Sequence, residues 1–102
     1  MSVETTRNDA ESRYEAHVDG ELAGFAEYVL DGDRIVFTHT EVEDQCEGEG
    51  IGSTLARFAL DDVRGRGGLR VVPRCPFIRA WIGKHPDYQD LLYGRPASTA
   101  KD

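Results

Sequence analysis

The stretch Gly48-Glu49-Gly50-Ile51-Gly52-Ser53 constrains this chain more than any other, because it places three glycines in five residues between a strand-like and a helix-like segment. Upstream, Phe37 to Val42 is rich in β-branched and aromatic residues, the composition of a strand. Downstream, Ile51, Leu55, Phe58, Ala59 and Val63 recur at helical spacing, with Arg57, Asp61, Asp62 and Arg64 largely on the other face. Glycine permits a turn with positive φ and the close approach of another molecule to the main chain. The first helical turn then offers N–H groups without intrahelical partners, and the helix dipole adds about half a positive charge at the same place. Such a turn suits a phosphate or diphosphate. A loop that only turns the chain tightly would use the same glycines.

Around this loop the chain reads as one mixed α/β domain. Residues 1–11 carry no apolar periodicity and are expected to be a polar tail. Arg13 to Val18 and Glu21 to Leu30 flank Asp19-Gly20, a two-residue hairpin turn, and Asp31-Gly32-Asp33 turns the chain again into Arg34 to Val42. Gly24 interrupts alternation and marks a candidate bulge. Three antiparallel strands are therefore expected before the loop. After the helix, Gly65, Gly67 and Gly68 stop it, and Leu69 to Val72 reads as a short buried strand closed by Pro73. Pro76 suits the first position of a second helix that groups Phe77, Ile78, Trp81, Ile82 and His85. The fold class expected is α/β (α+β), with a mainly antiparallel meander, helix, parallel strand and helix over residues 12–93, and a polar tail over 94–102. The helical crossover sets the third and fourth strands parallel, and ligands gather at the carboxyl ends of such strands.

Composition narrows the function classes. At 102 residues, 39% hydrophobic and 30% charged, the chain has room for one core, and no apolar run approaches a membrane span. Met1 to Glu11 lacks the basic-then-apolar pattern of a signal peptide, so a cytoplasmic location is expected, with Cys46 and Cys75 as free thiols. Net charge is −7, but residues 1–50 hold 14 Asp and Glu against 3 Arg, and residues 51–102 hold 9 Lys and Arg against 5 acids. No Lys/Arg stripe for nucleic acid is present. The division suits a small polyanion on the basic half and a cationic partner on the acidic half, although an acidic surface also serves solubility alone. Three histidines and two cysteines show no metal-ligand spacing.

Two nucleotide motifs fail. No Lys follows Gly52 as a P-loop requires, and the strand after the helix ends in Pro73-Arg74 rather than in the acid of a dinucleotide fold. An Arg there favours a phosphate. Glu47 to Gly52 followed by Ser53-Thr54-Leu55 resembles instead the acyl-CoA loop of the GNAT superfamily of N-acetyltransferases, with Gly50 and Gly52 at its two small positions. Phe37-Thr38-His39-Thr40-Glu41-Val42, Pro73-Arg74-Cys75-Pro76-Phe77 and Lys84-His85-Pro86-Asp87-Tyr88 resemble the minimal, single-domain branch of that superfamily.

The resemblance implies an acetyl-CoA-dependent transfer of acetyl to an amine. It sets the cofactor diphosphate on the N–H groups of Gly48, Glu49, Gly50, Ile51, Gly52 and Ser53, and the pantetheine along the strand ending at Val42. His39 and Cys75 would lie near the thioester. The chain departs from the pattern in carrying Glu47 where Arg or Gln is usual and Glu49 where a base is common. It also lacks the helices that normally wall the acceptor site.

Two side chains carry chemistry of their own. Cys75 precedes Pro76 at a helix start beside Arg74 and Arg79, a setting that favours thiolate and makes it a candidate nucleophile; a small buried cysteine is the plainer reading. His39 and Glu41 share one strand face, where an imidazole beside a carboxylate can take a proton from an incoming ammonium. A structural histidine fits the same pattern. The amine could attack the thioester directly, or Cys75 could first take the acetyl group. A CoA-binding or protein-interaction module without turnover is the rival from another class.

Overall fold

The computed structural model describes residues 2–43 and 50–94 and contains a five-stranded sheet in the order β1-β2-β3-β4-β5. The strands are β1 (Val3–Asn8), β2 (Arg13–Val18), β3 (Glu21–Asp31), β4 (Arg34–Val42) and β5 (Arg70–Pro73). The first four form an antiparallel meander and β5 joins β4 in parallel. Two helices, α1 (Ile51–Arg66) and α2 (Pro76–Gly83), and a short 3-10 helix over Pro86–Leu91 complete the domain.

One expectation is corrected. The polar tail of residues 1–11 instead supplies β1, so the meander has four strands rather than three. Val3, Thr5 and Arg7 are half-buried in alternation with exposed Glu4 and Thr6. The signal was hidden because one of the three inward residues is an arginine. Arg7 donates to Asp62 on α1 at 3.1 Å and to the Tyr14 hydroxyl at 2.9 Å, and its guanidinium lies 5.0 Å from the Tyr28 ring centroid. A cation neutralised and covered in this way packs inward as an apolar residue would.

The other elements follow from local chemistry. Asp19 and Gly20 both take positive φ, 50° and 88°, the geometry of a two-residue turn whose twist matches its strands. Ile51, Leu55, Ala56, Ala59, Leu60 and Val63 form the buried stripe of α1, which packs on Tyr14, Ala16, Ala26, Tyr28, Ile35 and Phe37 of the sheet. Gly67 and Gly68, at φ 69° and 79°, end that helix. On α2, Ile78, Trp81 and Ile82 are buried, and Trp81 Nε1 donates to Ser53 Oγ of α1 at 2.9 Å. Both helices thus lie against one face. The opposite face carries Phe25, Glu27, Val29, His39 and Glu41, and Val29 is 54% exposed there.

Two bulges shape the end of the sheet nearest α1. On β3 the register with β2 steps between Ala16 and His17, leaving Ala23 as the extra residue beside Gly24. A Cβ on Gly24 would stand 2.8 Å from the Glu41 carbonyl oxygen, so only glycine lets β3 approach β4 there. On β4 the register with β3 steps between Glu27 and Tyr28, which makes Thr38 the extra residue. The bulge re-phases the strand: Ile35 and Phe37 point to the helices before it, and Thr40 does so after it.

Candidate functional site

β4 and β5 pair only from Arg34↔Arg70 to Phe37↔Pro73. The last tie between them is the Cys75 N–H donating to the Phe37 carbonyl at 2.9 Å, after which β4 runs on alone to Val42. Glu43 N–H donates to Ala23 on β3 at 2.8 Å, so by alternation the main-chain groups of Thr40 and Val42 point towards the side that β5 has left. A cavity of about 360 Å³ occupies this opening, lined by Thr40, Val42, Gly52 and Phe77.

The opening leads onto the first turn of α1. Gly50 caps the helix in the left-handed conformation, φ 75° and ψ 14°, with no side-chain cap. The first helical bond runs from Thr54 N–H to the Gly50 carbonyl at 3.0 Å, which leaves the N–H groups of Ile51, Gly52 and Ser53 without helical partners. The first turn contains no acidic residue. A Cβ on Gly52 would meet the tip of the Phe77 ring at 2.9 Å, so any side chain there displaces that exposed ring. The Ile51 side chain is buried in the core, so only its main chain faces the opening. Gly48 and Glu49, expected beside these residues, lie outside the described residues, as do Cys46 and Glu47.

The remaining candidates separate onto two faces of β4. Cys75 is the N-cap of α2, 2% exposed, and its free thiol donates to Thr40 Oγ1 at 3.2 Å. The thiol therefore stands behind the cavity wall on the helix side. His39 lies on the uncovered face, where Nε2 donates to the Glu41 carboxylate at 2.8 Å and the ring sits 6.2 Å from that of Phe25. The Arg13 guanidinium covers Phe25 at 4.7 Å. His39 and Glu41 are more than half exposed, at 52% and 63%. Arg74, exposed at the end of β5, makes no ion pair among the described residues. No group of acidic, histidine or cysteine residues among those described could hold a metal ion.

Sequence reasoning missed Thr40, Phe77, Trp81 and Arg57 as neighbours of the loop. Helical spacing could have found Arg57, four residues beyond Ser53 on the same side of α1. The Thr40–Cys75 contact depends on the Thr38 bulge and on the end of β5 pairing, which no local pattern announces.

Comparison with known proteins agrees with this architecture. Several solved structures are similar in fold. One is the NMR structure of a GCN5-like protein from Staphylococcus aureus, with TM-score 0.71 and 23% identity over 100% of both chains. Another is the crystal structure of ribosomal-protein-alanine N-acetyltransferase from Brucella melitensis biovar Abortus 2308, with TM-score 0.53 and 21% identity over 88% of this chain and 67% of that one. No curated protein matches the sequence. A family model described as GCN5-related N-acetyl-transferase matches residues 13–91, most of the length, and the chain therefore belongs to the family of GCN5-related N-acetyltransferases, whose chemistry is acyl transfer.

Proposed function

We propose that the protein is an acetyl-CoA-dependent N-acetyltransferase acting on a cationic amine. The observation that carries this reading is the divergence of β4 from β5, which opens a polar main-chain edge directly onto the first-turn N–H groups of α1, which have no helical partners. A long donor with a diphosphate at one end and amide groups along a thin arm matches that shape. Ile51, Gly52 and Ser53 would bind the diphosphate through their N–H groups, and Thr40 and Val42 would bond the arm's amides as a neighbouring strand does. When bound, acetyl-CoA supplies an acyl group activated as a thioester.

The residues of the uncovered face prepare the amine. An ammonium must lose a proton before it can attack, and His39, on that face of β4, is the base assigned to take it. Because Nε2–H is donated to Glu41, the neutral ring carries its lone pair on Nδ1, the atom that would receive the proton. The Glu41 carboxylate then stabilises the imidazolium, and the acidic surface around it attracts a cationic acceptor. Cys75 serves this route as a wall residue. Its thiol is buried and partnered by the Thr40 hydroxyl, and His39, the base of this route, stands on the other face of β4. Transfer is therefore direct from thioester to amine.

Thermal melts with CoA, acetyl-CoA, ATP and NAD test the donor. Saturation at 100 times the dissociation constant stabilises by about 2.7 kcal/mol, a shift of many degrees in a domain this small. CoA and acetyl-CoA should produce it, and ATP and NAD should not. Amine-dependent release of the CoA thiol then separates an enzyme from a binding module: stabilisation by CoA without release from any of a broad panel of primary amines would leave the non-catalytic reading standing.

A further inference from the structure

We propose that Arg57 receives the 3′-phosphate of the CoA donor and so distinguishes CoA from its dephosphorylated form; this rests on the reading that the donor is a CoA thioester. The protein is acidic, and its arginines are mostly spoken for. Arg7, Arg13, Arg64 and Arg66 each meet a carboxylate within 3.1 Å, while Arg70 and Arg79 donate to main-chain carbonyls. Arg57 differs from all of these. It is exposed, forms no ion pair among the described residues, and is held by aromatic groups.

The holder is rigid. The Arg57 guanidinium lies 5.3 Å from the Trp81 ring centroid and 5.7 Å from that of Tyr88, and Nη1 donates to the Tyr88 hydroxyl at 3.3 Å. Trp81 is fixed on three sides. Its Nε1 donates to Ser53, its ring stacks on His85 at 3.7 Å and 11°, and its carbonyl accepts from His85 Nδ1 at 2.7 Å. Asp61, four residues further along α1, accepts from the Tyr88 hydroxyl at 2.7 Å and forms no ion pair with Arg57. The guanidinium is thus held in one place with most of its fork of donors unclaimed among the described residues, an arrangement suited to a phosphate.

Position supplies the second argument. Ser53, the last of the three residues whose N–H groups have no helical partners, and Arg57 are four apart on one side of α1, roughly 6 Å along the helix. In CoA the 3′-phosphate and the 5′-diphosphate are attached to the same ribose. A diphosphate on the first turn therefore brings the second phosphate within reach of the next turn, where Arg57 waits. No other described arginine occupies the exposed side of α1 between Ser53 and the pair Arg64–Asp90.

Calorimetry with CoA and dephospho-CoA decides the matter, using wild type, Arg57→Gln and Arg74→Gln. Wild type should bind CoA about tenfold more tightly than dephospho-CoA, the worth of one charge-assisted phosphate contact near the surface. Arg57→Gln should lose that preference by weakening CoA alone, with dephospho-CoA binding unchanged and a melting curve close to wild type. Arg74→Gln should keep the preference. Equal affinities in the wild type would overturn the inference, as would a preference that survives in Arg57→Gln or disappears in Arg74→Gln instead. Failure of both ligands to bind the wild type would overturn the donor reading itself.

Discussion

At the scale of single residues, Gly52 and Cys75 show how far side-chain chemistry could be read before the fold was known. The need for glycine at the loop was legible, but its partner was not: the reason at position 52 is the Phe77 ring, 25 residues away, against which a Cβ would press at 2.9 Å. Gly52→Val is expected to remain folded, because Phe77 is 41% exposed and can swing outward. The displaced ring and the added branch would fill the mouth of the cavity, so CoA affinity should fall by roughly tenfold or more. Calorimetry on the folded variant checks this, and unchanged affinity would place the donor elsewhere. For Cys75 the sequence pointed to a helix start, which is correct, but not to burial behind Thr40. Cys75→Ser should therefore retain acetyl transfer within about threefold, since the hydroxyl can keep a hydrogen bond to Thr40 at little cost. A loss of several hundredfold, or an acetylated wild-type Cys75 trapped in a rapid quench and seen by mass spectrometry, would restore the covalent route.

At the scale of elements, the strand that sequence patterning passed over is the one whose attachment is most electrostatic. β1 is strapped to α1 by Arg7, whose side chain is 12% exposed and meets both Asp9 and Asp62. Burial pushes the Asp62 carboxyl up, but hydrogen bonds from Arg66, Tyr14 and Arg7 outweigh it and hold the group below the usual carboxylate range. A depressed folded-state value means that the unfolded chain binds more protons near pH 4, so this contribution is complete above the ordinary carboxylate value of about 4 and is lost as pH falls through the lower folded value. Asp90, held down by Arg64, and Glu15, held down chiefly by Arg13, act in the same direction. Arg7→Met should cost about 1–3 kcal/mol at pH 7, because Asp62 and the Tyr14 hydroxyl lose a charged partner. Asp62→Asn should also be less stable than wild type at neutral pH, yet the gap should narrow on acidification. Urea midpoints at pH 7 and pH 3 measure both effects, and a gap that widens in acid would contradict the assigned role of Asp62. The helices, by contrast, were legible because their apolar spacing was unbroken and glycines or prolines marked their ends.

At the scale of the whole molecule, the charge division seen along the chain becomes a division between layers. Strands β1 to β4 hold six Asp and Glu against three Arg, with three of the acids on β3, whereas the two helices and β5 hold five Arg against two Asp. What the sequence could not convey was that the Thr40–Cys75 contact and the His39–Glu41 pair would lie on opposite faces of β4, since this depends on the Thr38 bulge and on where β5 stops pairing. The layering yields a prediction about salt. Charges beyond a Debye length, about 10 Å at 0.1 M, are largely screened, so each ligand responds mainly to the layer it touches rather than to the net charge of −7. The anionic donor should bind more weakly as salt rises, because the α1 first turn and Arg57 attract it at short range. The Michaelis constant of a cationic amine should rise as well, because Glu41 and its acidic neighbours lose their pull. On the proposed donor reading, Glu47 and Glu49, three and one residues before Gly50 in sequence, oppose the phosphates and should make the salt dependence shallow in the wild type. Glu49→Lys should therefore tighten CoA binding at low ionic strength, by about 1 kcal/mol or less, and steepen its decline with salt. Calorimetric titrations of both proteins across a salt series test this. Donor affinity that rises with salt in the wild type would mean that the acidic residues govern the field at the loop. Weaker binding by Glu49→Lys at every salt concentration would mean that Glu49 supports the loop rather than opposing the phosphates.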